Sequence, residues 1–340
     1  MALKAEETWT RDKKLDIGNI SVLVKAHEIT ATGAFERQKV RFDTPFGDES
    51  EGLNPVEADR YRLIWSPGCP WSTRQMITIK LLGLDRVISI GKVAPNKSQN
   101  GWVFELNIDG VDPVLGVQCL PEVYLKSDPD YTGRATVPCM VDTKTGLVAN
   151  NDYHNLSNYF QTAWKPFHRE GAPDLYPEDL REDIDAMNIV LYNDINNGVY
   201  KTGFSETQEK YEENFRLVYD RLDWLEERLE VNRFLFGDRL TDSDIRLYVT
   251  LARFDIAYFY NFYLNGKRIR DYHNLWNYAK ELFSFRAFRE STDFDTIKRG
   301  YLLRVPEENP YNILPLGPDN SVWYEPNDRS EKFGKLTLQL

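Results

Sequence analysis

The sequence predicts an α/β domain followed by an all-helical domain. Its 340 residues leave room for two domains of the usual ~150 residues each. Short apolar runs typical of strands, with one helical period between the first two, occupy the chain up to residue 163. Beyond residue 166 the apolar residues recur at the spacing of long helices. We therefore assign residues 58–163 to the α/β domain and residues 164–325 to the helical domain.

The elements of the α/β domain follow the order β-α-β and then β-β-α. Strands are predicted over residues 61–66, 87–90, 137–142 and 145–149. The first strand ends at Pro67-Gly68, and a helix with apolar residues from Met76 to Leu82 follows and ends at Gly83. Residues 95–134 contain too many turn-forming residues for one long element. This order predicts a small mixed α/β domain.

The helical domain is predicted from four segments with helical periodicity. They span residues 180–199, 207–229, 242–260 and 275–283. The third has the clearest start, because Thr241 can cap it and Asp244 can reach back to complete a capping box. Residues 1–57 predict an irregular N-terminal arm and residues 326–340 a C-terminal tail. The proline-punctuated chain from Pro306 onwards is expected to wrap the helical domain.

Composition excludes several classes of function. The chain has 42 Lys and Arg against 53 Asp and Glu, a net charge of −11, which disfavours binding to nucleic acid or to anionic membranes. The N-terminus is charged from its start, and no stretch approaches the ~20 apolar residues of a membrane span. Three cysteines are too few for a disulfide framework. We expect a cytoplasmic protein with no membrane segment.

Cys69 is the candidate nucleophile. It lies where the first strand meets the helix, and Pro70 suits the first helical position because its missing N–H has no partner there anyway. The unpaired N–H groups and the dipole of a helix N-terminus favour thiolate over thiol. A cysteine followed by proline after an apolar strand is the thioredoxin-type arrangement. The alternative is a buried, inert cysteine, and Cys119 and Cys139 are interpreted in that way.

Ser72 decides the class of thiol chemistry. A dithiol redox centre would carry its second cysteine at this position. A lone thiolate that attacks a disulfide or thioether sulfur ends as a mixed disulfide, which only an outside thiol can resolve. The sequence therefore predicts a small soluble thiol such as glutathione as co-substrate, and no tightly bound cofactor.

Val137-Pro138 is the second mark of the predicted site. In thioredoxin-like folds a proline that opens a strand is cis and leaves the preceding backbone free to pair with an extended ligand. An ordinary edge-strand proline is the alternative. The four histidines have no metal-ligand spacing, and no glycine-rich phosphate loop is present. No metal or nucleotide is expected.

The chain resembles the glutathionyl-hydroquinone reductases, which are the xi class of glutathione transferases. The resemblance runs from Phe35-Glu36-Arg37 to Gly317-Pro318-Asp319. Its order and spacing of motifs are specific to the class: Cys69-Pro70-Trp71, Asn100-Gly101-Trp102, Asp128–Arg134, Val137-Pro138, Asn196–Tyr200, Phe236–Thr241 and Arg253-Phe254-Asp255.

This resemblance implies a thioredoxin-like domain followed by a helical glutathione-transferase domain, assembled as a homodimer. It implies that a glutathione-conjugated hydroquinone is reduced to the free hydroquinone, with Cys69 taking the glutathionyl sulfur. By position in the motifs, glutathione contacts fall on Trp102, Arg134 and the Val137 backbone. The aromatic substrate pocket falls on Tyr200, Tyr258 and Tyr301. Without these motifs, the three tyrosines would be interpreted as core residues.

Asp152-Tyr153 departs from the family pattern, which has Glu-Ser here to hold the γ-glutamyl end of glutathione. Asp152 can pair with an ammonium and can cap the helix that follows, but it is one methylene shorter than glutamate. Tyr153 carries its hydroxyl far from the position of a serine oxygen. We expect glutathione to be accepted but held more weakly than in relatives with Glu-Ser.

Two other functions fit the same sequence. A glutaredoxin-like enzyme would use Cys69 to strip glutathione from disulfides or to reduce dehydroascorbate. A non-enzymatic protein of the same fold would bind aromatic ligands, although a binding protein has no use for an activated thiolate.

Overall fold

The computed structural model describes residues 28–95, 100–303 and 309–336. The strands of the first half are β1 (Phe46–Gly47), β2 (Asn54–Pro55), β3 (Tyr61–Trp65), β4 (Ser89–Lys92), β5 (Cys139–Asp142) and β6 (Leu147–Asn150). The last four form one sheet in the order β4-β3-β5-β6, in which β3 and β4 are parallel and the other neighbours antiparallel. Its helices are α1 (Pro70–Leu82), α2 (Leu120–Ser127) and α3 (Leu156–Gln161). The predicted thioredoxin-like domain is confirmed.

The second half of the chain is helical, as predicted. Its helices are α4 (Arg181–Val190), α5 (Gly198–Gly203), α6 (Gln208–Val231), α7 (Asp242–Arg253), α8 (Phe259–Asn261), α9 (His273–Ser284), α10 (Arg286–Ser291), α11 (Phe294–Leu302) and α12 (Arg329–Phe333). Within the described ranges, no helix combines the length and the apolar character that crossing a bilayer requires.

The second strand of the sheet begins two residues later than residues 87–90 predict. Leu84–Arg86 form a 3-10 turn, and the Leu84 carbonyl accepts hydrogen bonds from the amides of Val87 at 3.0 Å and Ile88 at 2.9 Å. These amides are therefore unavailable to the sheet, and β4 begins at Ser89.

The predicted helix over residues 180–199 is interrupted. After α4 the chain forms a π turn, Leu191–Asn196, and α5 begins at Gly198. Asn196 Nδ2 donates to the Arg246 carbonyl and to Thr250 Oγ1, both at 2.7 Å. These bonds to α7 stabilise the interruption of the helix. The sequence did not predict it, because a hydrogen bond to a distant helix does not change the local spacing of apolar residues. The predicted helix over 242–260 likewise passes through a π turn, Phe254–Tyr258.

Helix α7 begins where the sequence predicts. The Thr241 amide donates to Asp244 Oδ2 at 2.8 Å, which completes the reciprocal half of the capping box. Asp242 in the first turn is fully buried and accepts hydrogen bonds from Gln161 Nε2 and Asn188 Nδ2 at 3.0 Å each. It also pairs with Arg246 Nε at 2.5 Å. Helix α7 therefore carries buried charge between the two domains.

The C-terminal tail packs on the helical domain over its described residues, as predicted. The buried guanidinium of Arg329 donates to the carbonyls of Leu229, Asn232 and Arg233 at 2.6 to 2.9 Å. These carbonyls lie at the C-terminal end of α6, where helical partners run out. Residues 1–27 of the predicted arm, 304–308 of the predicted helical domain and 337–340 of the predicted tail lie outside the described residues.

Replacing Asp242 should destabilise the fold strongly. We expect Asp242→Ala to lower the free energy of unfolding by about 3 to 5 kcal/mol, because Arg246 is left as an unpaired buried charge. Urea unfolding of this variant beside Asp220→Ala, which removes an exposed aspartate from α6, measures the difference. A loss no larger than that of the control contradicts the prediction.

The stabilisation by Asp242 should also depend on pH. Burial would raise the pKa of Asp242, but Arg246, Arg74 and the hydrogen bonds outweigh burial and lower it. The stabilisation is therefore complete above the ordinary aspartate pKa and declines as the pH falls below roughly 4. Unfolding free energies of wild type and Asp242→Asn should thus converge in acid, and a gap that widens in acid would refute this sign.

Candidate active site

Cys69 lies at the N-terminus of α1, as predicted. Its backbone is extended, with φ −82° and ψ 120°, and Pro70 opens the helix. The Cys69 amide donates to the Ser66 carbonyl at 3.0 Å, which closes the turn after β3. The Cys69 side chain is half-buried, and its Sγ lies 3.5 Å from the Val137 carbonyl oxygen. The turn therefore presents one partly accessible sulfur at a helix terminus.

Ser72 is part of the turn rather than a second reactive group. Its buried hydroxyl donates to the Ser66 carbonyl at 2.8 Å and accepts from the Ser66 amide at 3.2 Å. These bonds join the first turn of α1 to the end of β3. The position that a resolving thiol would occupy is therefore filled by a structural hydroxyl.

The other cysteines offer no second reactive thiol. Cys119 and Cys139 are fully buried, and burial raises the pKa of each thiol to about 12. Within the described part of the chain, no group of three or more His, Cys, Asp or Glu side chains is placed to hold a metal ion.

Val137 faces Cys69 from the opposite side of the site. The Val137–Pro138 peptide bond is cis, which agrees with the thioredoxin-like interpretation rather than with an ordinary edge proline. Trp102 packs in the same apolar cluster as Val137, and Cys69 packs against that cluster. Of the predicted glutathione contacts, Val137 is thus beside the sulfur, and Trp102 lies in the cluster against which Cys69 packs.

Arg134 is engaged by the N-terminal arm. Its Nη2 lies 2.7 Å from both carboxylate oxygens of Glu28, and its amide donates to Gln38 Oε1 at 2.8 Å. Gln38 Nε2 returns a hydrogen bond to the Arg134 carbonyl at 3.0 Å. The arm therefore binds both the side chain and the backbone of Arg134, a contact that the arm's irregular sequence did not predict, and the glutathione contact of Arg134 stays a prediction.

Asp152 caps the turn that precedes α3. Its Oδ1 accepts from the His154 amide at 3.0 Å, and its Oδ2 accepts from Asn155 Nδ2 at 2.7 Å. Helix α3 begins only at Leu156, so the expectation that Asp152 is the helix N-cap is wrong by one turn. The Asp152-Tyr153 backbone bends before the helix starts, because the aspartate carboxylate satisfies the turn instead.

The Tyr153 side chain packs toward the helical domain. Its hydroxyl lies 3.3 Å from the Tyr192 hydroxyl, and its ring contacts Trp71 and His154 with centroid distances of 5.0 and 4.2 Å. Burial lowers the pKa of His154 to about 4, and the nearby Arg74 acts in the same direction, so this imidazole is neutral near pH 7. The phenol is therefore part of an aromatic cluster, and the glutathione contact predicted for Tyr153 stays a prediction.

The structure brings Tyr200, Tyr258 and Tyr301 together. The Tyr200 hydroxyl lies 2.5 Å from that of Tyr301 and 3.4 Å from that of Tyr258, and the last two are 3.2 Å apart. Burial raises the pKa of all three phenols. Cys69 is close enough to contribute to the raised pKa of Tyr200. Three protonated hydroxyls therefore converge at one buried point, and Tyr200 is near enough to Cys69 for the two groups to interact electrostatically.

Arg253 supports the Cys69 turn from the helical domain. Its fully buried guanidinium donates to the carbonyls of Pro67 at 2.7 Å and Gly68 at 3.1 Å, and to Thr73 Oγ1 at 2.9 Å. Sequence reasoning did not identify this role. The sequence marks Arg253 only as part of the family motif Arg253-Phe254-Asp255. That motif does not show that Arg253 contacts Pro67, Gly68 and Thr73.

Arg37 of the arm is a second residue that sequence reasoning missed. Its guanidinium lies over the rings of Trp71 and Tyr200, with Cζ 4.9 and 4.5 Å from the ring centroids. Its Nε donates to Asn197 Oδ1 at 2.6 Å, at the break before α5. The arm thus places a cation against the aromatic wall of the pocket.

The chain is similar in sequence to known glutathione transferases and glutathionyl-hydroquinone reductases. Residues 208–281 match the family described as "Glutathione S-transferase, C-terminal domain". The chain is 36% identical to the glutathionyl-hydroquinone reductase YqjG of Escherichia coli, over 89% of this chain and 94% of the relative. It is 40% identical to the glutathionyl-hydroquinone reductase PcpF of Sphingobium chlorophenolicum, over 77% and 84%.

Solved structures give the same result. The xi glutathione-S-transferase of Phanerochaete chrysosporium superposes with a TM-score of 0.83 at 37% identity, covering 90% of this chain and 99% of that one. The glutathione-bound structure of Escherichia coli YqjG superposes with a TM-score of 0.80 at 35% identity, covering 86% and 97%.

Removing the Arg253 guanidinium should loosen the Cys69 turn. We expect Arg253→Met to lower the free energy of unfolding by about 3 kcal/mol or more, because several buried acceptors lose their donor at ~1 to 3 kcal/mol each. Arg253→Lys should recover part of the loss, since one ammonium can reach some of these acceptors. Urea unfolding measures both, with Arg216→Met as an exposed control. A loss below 1 kcal/mol for Arg253→Met would show that the turn is held by other contacts.

Proposed function

The chain belongs to the xi class of glutathione transferases, the family of the glutathionyl-hydroquinone reductases, and on that premise we propose that it removes glutathione from glutathionyl-hydroquinones. It is a glutathione-dependent enzyme, which sets aside the interpretation as a binding protein. The observation that supports the proposal is a half-buried sulfur, Cys69, within electrostatic reach of the Tyr200 phenol, whose hydroxyl in turn contacts those of Tyr258 and Tyr301.

The proposed reaction has two steps. Cys69 thiolate attacks the sulfur of the conjugate after the ring carbon that carries it has been protonated. A Cys69–glutathione disulfide forms, the carbon–sulfur bond breaks, and its electron pair returns to the ring to give the hydroquinone. A second glutathione thiolate then attacks the mixed disulfide, releasing oxidised glutathione and the Cys69 thiolate. Ser72 supports this scheme, because its tied hydroxyl cannot resolve the mixed disulfide.

The roles of the remaining site residues are proposed from their positions in the family motifs. Trp102, Arg134 and the Val137 backbone are proposed to hold glutathione, with Asp152-Tyr153 at its γ-glutamyl end. Tyr200, Tyr258 and Tyr301 are proposed to hydrogen-bond the ring oxygens and to help deliver the proton, since raised pKa values keep their hydroxyls available as donors.

A glutaredoxin-like activity is the second candidate. It is favoured by the partial exposure of Cys69 and by the absence of a second thiol in its turn, since a lone accessible thiolate also attacks glutathione disulfides. Comparing turnover of a glutathionyl-hydroquinone with turnover of 2-hydroxyethyl disulfide separates the two activities. Family membership also supports a cytoplasmic homodimer, which cell fractionation and light scattering would test.

Cys69 should be the sole nucleophile. After treatment with oxidised glutathione, intact-mass analysis of the wild type should show one glutathionyl adduct, located on Cys69. Cys69→Ser should form no adduct and lose several orders of magnitude in turnover, because binding contacts cannot replace the bond-forming group. Cys119→Ala and Cys139→Ala should resemble wild type. A Cys69→Ser enzyme that keeps a tenth of the activity would rule out this assignment.

The tyrosine hydroxyls should contribute to turnover. Tyrosine to phenylalanine at positions 200, 258 and 301 retains the ring, and positioned acid catalysis is worth ~10² to 10⁴ in rate. We expect at least one of the three to fall within that range in kcat. Tyr248→Phe is the matched control, because this buried phenol bonds Thr292 at 2.8 Å outside the pocket. If all three variants fold and keep the turnover and substrate affinity of the wild type, these tyrosines are core residues with no role in catalysis.

A further inference from the structure

Arg37 presents an unsatisfied hydrogen-bond donor at the aromatic pocket. Its Nη2 is buried and has no hydrogen-bond partner, whereas Nε is used by Asn197. Among the described residues, no carboxylate forms an ion pair with this guanidinium. A buried N–H without a partner is costly unless an acceptor is supplied from outside the chain. The geometry therefore leaves a position for an acceptor next to Trp71 and Tyr200.

The surroundings favour an anionic acceptor. The rings of Phe35, Trp71 and Tyr200 contact the guanidinium but supply no formal negative charge. The phenols in the pocket stay protonated because burial raises their pKa, and His154 is neutral. A guanidinium in so weakly polar a site attracts a partial or full negative charge on a ligand much more strongly than it would in water.

The proposed reaction creates such a charge. Protonation of the ring carbon, with loss of the proton of a ring hydroxyl, gives the keto tautomer of the conjugate. When the carbon–sulfur bond of this tautomer breaks, its electron pair moves through the ring onto the carbonyl oxygen. The product leaves as a phenolate, which then takes up a proton to become the hydroquinone. The tyrosine hydroxyls can donate hydrogen bonds to this oxygen. Among the described residues, two guanidiniums beside Trp71 have a buried N–H without a partner, Arg37 at Nη2 and Arg74 at Nε, and Arg37 is the one that also lies over the Tyr200 ring.

We propose that Arg37 of the N-terminal arm binds the ring oxygen on which negative charge develops, and so selects aromatic substrates with an ionisable ring oxygen. This inference rests on the proposed function. It makes Arg37 a substrate-binding residue contributed from outside both domains, and it makes the arm part of the active site.

The kinetic test compares two substrates. Arg37→Met should lower kcat for a glutathionyl-hydroquinone by about 10²- to 10³-fold, as for loss of one charge-stabilising donor, with little change in KM. It should leave turnover of 2-hydroxyethyl disulfide within about twofold, because there the leaving group is a thiolate with no ring oxygen. Arg37→Lys should recover part of the loss. Arg41→Met is the matched control, since Arg41 lies in the same arm but pairs with Asp128 at the surface. Equal losses on both substrates, or none, would overturn the proposal.

A binding test does not depend on turnover. 4-Nitrophenol is coloured only as the phenolate, so its absorbance reports its ionisation when it is bound. Wild type and Arg41→Met should lower the apparent pKa of bound 4-nitrophenol by about 1 to 3, and Arg37→Met should abolish that shift. A shift that survives in Arg37→Met would refute the role of Arg37. If the wild type shows the shift but does not act on the conjugate, the proposed function fails while the anion site stands.

Discussion

The buried guanidinium of Arg253 is the contact on which the rest of the site depends. The guanidinium donates hydrogen bonds to two carbonyls of the turn that carries Cys69. Without Arg253 these carbonyls would be buried and unpaired at the domain boundary. The same helix places Asp242 and Arg246 against the thioredoxin-like domain, at Gln161 and His154. Beyond Arg253 its π turn delivers Tyr258 to the pocket. The same stretch of chain therefore both bonds the Cys69 turn and carries one of the three phenols.

The sequence predicts those parts of the structure that are determined by residues close together in the chain. Apolar periodicity identifies the sheet, α1 and the helical half, and the Thr241–Asp244 box places the start of α7. The break before α5 and the roles of Arg37 and Arg253 depend on partners 50 to 186 residues away. Nothing in the neighbouring sequence indicates those contacts. The tyrosine pocket was predicted only through the family motifs, because a buried tyrosine has the same local pattern wherever its hydroxyl points.

The aromatic residues around Tyr200 combine neutral hydrogen-bond donors with one cationic donor. Desolvation keeps the tyrosines protonated, so they can act as neutral donors, while the arm supplies the guanidinium of Arg37. The arm also occupies Arg134 through Glu28. The N-terminal arm thus contacts a residue of the proposed glutathione site and the aromatic residues Trp71 and Tyr200.

The serine at position 72 has a consequence for how the proposed cycle responds to its surroundings. A dithiol enzyme closes its own disulfide at a rate independent of concentration. Here, with Ser72 bonded into the turn, release of the mixed disulfide is bimolecular, so its rate is proportional to free glutathione. When glutathione is scarce, the enzyme waits in its glutathionylated form. That form shields Cys69 from irreversible oxidation and resumes turnover as soon as the thiol pool recovers.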